Sequence, residues 1–129
     1  IPLAVKNLVR GKKIRLHNNG TPIRNWLHAE DTANAVMAII ESGNVNEIYN
    51  VAGGVEQANI DTVKKIIKAF YGTLDNWEQY VDFDTTREGQ DVRYALNDRK
   101  LKNLGWAPQK KFDEEIEKIV NFYKEKFIW

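Results

Sequence analysis

The sequence predicts a mixed α/β domain with short strands and at least four helices. Two patterns carry that expectation. Val63, Ile66, Ile67 and Phe70 recur at helical spacing with Lys64, Lys65 and Lys68 opposite them, and Ile116, Ile119, Val120, Tyr123 and Phe127 repeat the stripe near the end of the chain. Between such stretches lie apolar or alternating runs of only a few residues, closed by Asn-Gly or Gly-Gly, which is the punctuation of strands. With 129 residues and 43% hydrophobic composition, the chain has material for one core, and a single domain over 1–129 is the default.

The first helix starts on Pro2, carries Leu3, Val5, Leu8 and Val9, and stops at Gly11, with Lys6 and Arg10 facing water. Residues 14–17 alternate like a strand exposed on one side. Asn18, Asn19 and Gly20 tolerate positive φ and predict a tight turn into a returning strand over 23–28. Asp31 is the expected N-cap of a helix over 32–42 that ends at Gly43. No charged residue occurs from Thr32 through Ile40, so this helix is expected to pack against protein on more than one side. Residues 47–52, EIYNVA, read as a strand, and the following Gly53-Gly54 marks a place where side chains would obstruct.

A brief extended segment over 57–60 leads to Asp61, the expected N-cap of the Val63–Phe70 helix, which Gly72 stops. Residues 73–79 read as a loop carrying Trp77, and 80–84 as a strand with Val81 and Phe83 on one face. The polar stretch TREGQDVR, 86–93, is a loop bracketed by Arg87 and Arg93. Asp98 caps a short helix ending at Gly105, with Leu101 and Leu104 inward and Trp106 behind. Pro108 breaks the chain before a last helix capped by Asp113, where Glu114 and Glu115 suit the helix dipole.

Composition excludes several functions. Net charge is +1 with acids and bases interspersed, so no field gathers nucleic acid or anionic membrane. There is no cysteine, and two histidines do not make a closed metal site, so no metal is expected. No apolar run approaches membrane-spanning length and no signal peptide is visible, so a cytoplasmic setting is expected. The start at Ile1-Pro2, inside a helix and without Met, reads as a piece cut from a longer protein.

The stretch 14–31, IRLHNNGTPIRNWLHAED, sets Arg15, His17, Arg24 and His28 around one turn and reads as the floor of an anion site. Arg24 lies among apolar strand residues, where its planar fork meets two phosphate oxygens, snorkels to the surface, or forms an internal salt bridge. Arg87 has the same alternatives, and spacing alone does not show that the two converge. His17 presents a flat ring to a base or is an exposed strand histidine; His28 reads as hydrogen-bonded to Glu30 or backbone. Asn59 sits before a helix N-terminus, where amides attract phosphate, although a turn asparagine needs no ligand. The four tryptophans, Trp26, Trp77, Trp106 and Trp129, read as core or rim aromatics. There is no G-x-G-x-x-G, no tyrosine followed four positions later by lysine, and no serine in a nucleophile elbow, so the residues describe a site that binds and no catalytic set.

Together IRNWLHAEDTANA, EIYNVAGG, QANID, TREGQDVRYALNDRKLKNLGWAP and the closing helix resemble the C-terminal part of nucleotide-sugar 4,6-dehydratases, with the dTDP-glucose 4,6-dehydratases nearest. These belong to the extended short-chain dehydrogenase/reductase (NAD-dependent epimerase/dehydratase) family. The likeness covers essentially the whole chain. It implies a substrate-binding domain without its Rossmann half, drawn from an enzyme that uses NAD to oxidise a sugar at C4, eliminates water across C5 and C6, and returns the hydride to C6. The catalytic and cofactor-binding residues lie in the family's N-terminal portion, so none is expected here. The resemblance implies Arg24 and Arg87 on a diphosphate, joined by Asn59. It places Arg15, Leu16 and His17 beside the nucleobase and ribose, with Gln90 near the nucleotide. Arg15, His17 and Gln90 depart from the family's usual proline, tyrosine and histidine, and Glu88 replaces a usual proline.

Related UDP-glucuronate decarboxylases and sugar epimerases share the architecture but match IRNWLHAED less well, and a stand-alone binding module is the rival of another class. The implied partner is a nucleotide-sugar, a dTDP-hexose or similar. In this family the 32–42 helix and the EIYNVA strand pack on the Rossmann sheet. Without that sheet the chain is expected to cover the bare face as a homodimer or swapped oligomer.

Overall fold

Proline has no amide to lose at a helix start, and Pro2 opens helix α1 (Pro2–Val9) in the computed structural model of the chain, which describes residues 1–126. Val5 and Leu8 are buried, whereas Leu3 and Val9 point outward. Strand β1 (Ile14–Arg15) leads into a 3-10 turn (His17–Gly20) and strand β2 (Ile23–Trp26). The turn is as tight as its sequence predicts, with Asn18, Asn19 and Gly20 at φ 52°, 55° and 71°. The hairpin does not form. Three left-handed residues in succession, followed by a proline without a ladder donor, send the chain elsewhere. Strand β1 instead pairs in parallel with β4 (Val81–Asp82), and β2 pairs antiparallel with β3 (Val55–Ala58), Ile23 opposite Ala58 and Trp26 opposite Val55.

Helix α2 (Ala29–Ser42) is capped by His28, whose Nδ1 accepts from the Glu30 amide at 3.1 Å, and not by Asp31. Asp31 is buried within the first turn, where its carboxylate accepts from the amides of Gln109 and Lys110 at 2.9 and 3.0 Å. Its carbonyl accepts from Trp106 Nε1 at 3.2 Å. The first turn of α2 thereby anchors the stretch before the last helix.

Residues 47–52 form no strand, because no described strand lies beside them to supply a ladder. Gly53, by contrast, fulfils its expectation: a Cβ there would fall inside the Trp26 carbonyl, while at Gly54 the nearest atom is Pro108 Cγ at 3.6 Å. Of the extended segment expected over 57–60, Gln57 and Ala58 are the end of β3, whereas Asn59 and Ile60 are already helical. Helix α3 (Asn59–Tyr71) starts directly after Ala58, so Asp61 stands in its first turn and is not its N-cap; Gly72 ends it at φ 80°. A 3-10 turn (Trp77–Tyr80) precedes β4, which is shorter than the expected 80–84 strand.

Asp98 precedes α4 (Arg99–Lys102), its carboxylate paired to Lys102 at 2.9 Å. Helix α5 (Phe112–Glu125) begins one residue before Asp113, with Lys111 and not Asp113 at the N-cap; Phe127 and Trp129 lie outside the described residues.

Two apolar clusters result among the described residues. The larger joins α1, β1, α3, β4 and α5 around Val5, Ile67 and Val120, each fully buried. The smaller gathers Ala35 of α2, Leu101 of α4 and Trp106. Trp26 of β2 bridges toward the first helix turn of α5 by an edge contact with Phe112, ring centroids 5.6 Å apart. Within the described residues α2 is covered on the Ala35 side only: Val36, Met37 and Ile40 are 48%, 51% and 70% exposed.

Candidate functional site

The 17–20 turn and the 86–93 loop, far apart in sequence, meet through one side chain. Asn18 Nδ2 donates to the Arg87 carbonyl at 3.1 Å and to Gln90 Oε1 at 3.0 Å, while its Oδ1 accepts from the Arg87 amide at 3.0 Å. Its own amide reaches the Thr85 carbonyl at 3.0 Å. The loop then runs along β2, the Ile23 amide donating to Val92 at 2.7 Å and the Tyr94 amide to Ile23 at 3.3 Å. The start of α3 closes the same corner. The Asn59 amide donates to the Pro22 carbonyl at 3.0 Å, and a Cβ on Gly20 would strike Ile60 and Leu16. The end of β1, the turn, the start of β2, the start of α3 and the 86–93 loop are therefore neighbours.

Within this corner Arg15 is exposed on β1, opposite Asp82. Leu16 gives its side chain to the core and its amide to the Asp82 carbonyl at 2.9 Å, so only its backbone edge borders the corner. His17 Nδ1 is buried with no hydrogen-bond partner among the described residues. Arg87 is exposed, its backbone gripped on both sides by Asn18, and Gln90 is held by the same asparagine. Asn59 stands at the helix start as expected, but its amide is committed to Pro22. His28 lies outside the corner, as the α2 cap.

Arg24 decides the character of the site. Its Nη1 donates to the carbonyls of Ile23 and Asp91 at 2.7 and 3.1 Å, and its Cζ lies 4.3 Å from the centroid of the Tyr94 ring. Among the described residues no acceptor is paired with its Nε or Nη2, and none of Arg15, Arg24 and Arg87 forms an ion pair. Nearby Arg93 shows the alternative: its Nη2 pairs with Glu56 at 2.8 Å.

The Asn18 side chain has no part in the site expected from the sequence, and Asp91 and Tyr94 enter that expectation only within the block that carries the resemblance. Asn18 was visible only as a residue tolerant of positive φ. Its partners lie 69 and 72 positions away, which no local pattern encodes. Chemically, the corner offers guanidinium forks and amide groups suited to a diphosphate, and no activated nucleophile or acid/base pair.

Residues 1–119 match the family model described as GDP-mannose 4,6 dehydratase. The chain is 36% identical over 137 aligned residues to dTDP-glucose 4,6-dehydratase of Escherichia coli, covering 100% of this chain and 38% of that enzyme. Among solved structures, it is similar to DesIV, a dTDP-glucose 4,6-dehydratase from Streptomyces venezuelae with NAD and TYD bound, at TM-score 0.88 and 31% identity over 98% of this chain and 38% of that one. The dTDP-glucose 4,6-dehydratase from Bacillus anthracis in complex with NAD gives TM-score 0.85 and 33% identity over 97% of this chain and 38% of that one. The chain thus spans under two fifths of the length of the relatives it matches.

Proposed function

The chain belongs to the GDP-mannose 4,6-dehydratase family, and we propose that it is the C-terminal, nucleotide-sugar-binding domain of a longer NAD-dependent dTDP-glucose, or other NDP-hexose, 4,6-dehydratase. The observation that carries this reading is the cluster of Arg15, Arg24 and Arg87 around one corner with no carboxylate partner among the described residues. Guanidinium groups that form no ion pair among the described residues, beside a joined turn and loop, suit a diphosphate. In the proposed arrangement Arg24 and Arg87 take the diphosphate and Asn59 supports them. Arg15, Leu16 and His17 border the nucleobase and ribose, and Gln90 lies near the nucleotide.

In the proposed arrangement NAD is held outside these residues. The described sheets have two strands each, and no strand passes through a glycine-rich turn into a helix, so no dinucleotide cradle is formed. In this reading the remaining length of the parent enzyme holds NAD and performs the redox and elimination steps in the cytoplasm, and the chain alone is inactive. The exposed Val36, Met37 and Ile40 face of α2 makes self-association part of the same proposal.

The test is calorimetric titration with dTDP, UDP and inorganic pyrophosphate at low and moderate salt, for the chain and an Arg24→Ala variant. Saturable binding of one nucleotide is expected, weakened about ten- to a hundredfold in the variant by loss of charge-assisted hydrogen bonds. Equal affinity in both proteins would remove Arg24 from the diphosphate.

A further inference from the structure

Tyr94 closes the 86–93 loop and carries an aromatic ring that packing does not explain. It is 53% exposed, beside Val92 and Leu96 at 76% and 57%, whereas a ring placed for the core would be covered. What it touches is Arg24, whose guanidinium carbon lies 4.3 Å from the ring centroid. A guanidinium on an aromatic face is fixed in its plane, and the two Nη1 bonds to Ile23 and Asp91 fix its rotation within that plane. Tyr94 in turn is held through its backbone. Its amide is bound to the Ile23 carbonyl, and hydrogen bonding to the Asp91 carboxylate, with that group's charge, raises its phenol above the ordinary tyrosine value. The charges of both Arg24 and Arg87 act on the same phenol.

We infer that Tyr94 is a positioning residue for the anion site: its ring is the shelf that holds Arg24 with the Nε and Nη2 edge ready for bidentate contact with a diphosphate. The inference rests on the reading of Arg24 as a diphosphate ligand. An arginine side chain ordered before the ligand arrives does not lose that freedom on binding, so the shelf acts on affinity through preorganisation.

The experiment compares the chain with its Tyr94→Phe, Tyr94→Leu and Arg24→Ala variants, using inorganic pyrophosphate and dTDP as probes and NMR of the arginine Nε–Hε groups as a ligand-free readout. Tyr94→Leu is expected to shift and broaden the Arg24 Nε–Hε resonance and to weaken binding about five- to tenfold, a loss of cation–π order. Tyr94→Phe keeps the ring face and is expected to restore both readouts, which loss of general structure would not allow. An unchanged Arg24 resonance in Tyr94→Leu, or equal losses in the Phe and Leu variants, overturns the inference. If the unaltered chain binds neither probe, or Arg24→Ala binds as the unaltered chain does, the diphosphate reading fails and takes the affinity role with it. The resonance comparison then still decides whether the ring sets Arg24.

Discussion

Gly53 and Gly54 stand side by side and have opposite tolerances. At Gly53 any Cβ collides with the Trp26 carbonyl of β2, which is backbone and does not move aside, whereas at Gly54 there is room. The Gly53→Ala variant is therefore expected to lose its cooperative melt or most of its melting temperature, while Gly54→Ala stays within about 1 kcal/mol of the unaltered chain, as for a surface substitution; thermal denaturation followed by circular dichroism checks both. The sequence already marked the pair, because a double glycine after an apolar run has few other uses. It was mute on which glycine mattered. Asp31 shows a second kind of ambiguity: a carboxylate at a helix start reads as a cap, and only the distant amides of Gln109 and Lys110 reveal its occupation. His28, expected to bond to Glu30 or backbone, is the cap through the Glu30 amide.

Helices were legible and strand pairing was not, for one physical reason. A helix satisfies its backbone locally, so α3 with buried Val63, Ile66 and Ile67 announces itself by spacing. A strand needs a neighbour from elsewhere in the chain, and EIYNVA has the composition of a strand without one. Side chains hold that segment instead: Lys100 of α4 pairs with Glu47, donates to the Ile48 carbonyl at 3.0 Å and lies over the Tyr49 ring, while Asn50 Nδ2 reaches the Asn97 carbonyl at 3.1 Å. Hydrogen bonding to Lys100, and then its charge, hold the Glu47 carboxyl below its ordinary value. A depressed folded value contributes stability above the unfolded pKa and loses it as pH falls through the folded one. Amide exchange over 44–50 is accordingly expected to accelerate, relative to α3, as pH drops through and below the ordinary carboxylate range. A Lys100→Met variant should show the faster exchange already at neutral pH.

At the scale of the molecule, the single core expected from length is two clusters, one around α3 and α5 and one around α2 and α4. Composition counts apolar residues and cannot apportion them. The absence of charge from Thr32 to Ile40 predicts packing on more than one side of α2, but within the described residues the helix is covered on one side and its second apolar face is bare. Light scattering of the chain is expected to show mass rising with concentration, and a Met37→Glu, Ile40→Lys double variant to remain at monomer mass. A monomer at all concentrations in the unaltered chain would count against self-association. The arginines of the proposed anion corner stand out in the sequence, but the corner's architecture does not, since the contacts that bring its elements together span most of the chain.

That span gives the corner its own place in the order of folding. Asn18 fastens the 17–20 turn to a loop some 70 residues later, so its bonds form only after a long closure whose entropy the intervening helices must already have reduced. Those bonds are part-buried or exposed rather than sealed within either cluster, which sets them among the first to open. On this ordering the corner opens while both clusters stay intact, and if the proposed anion binds there it is expected to slow exchange at the turn and the loop before it raises the melting temperature.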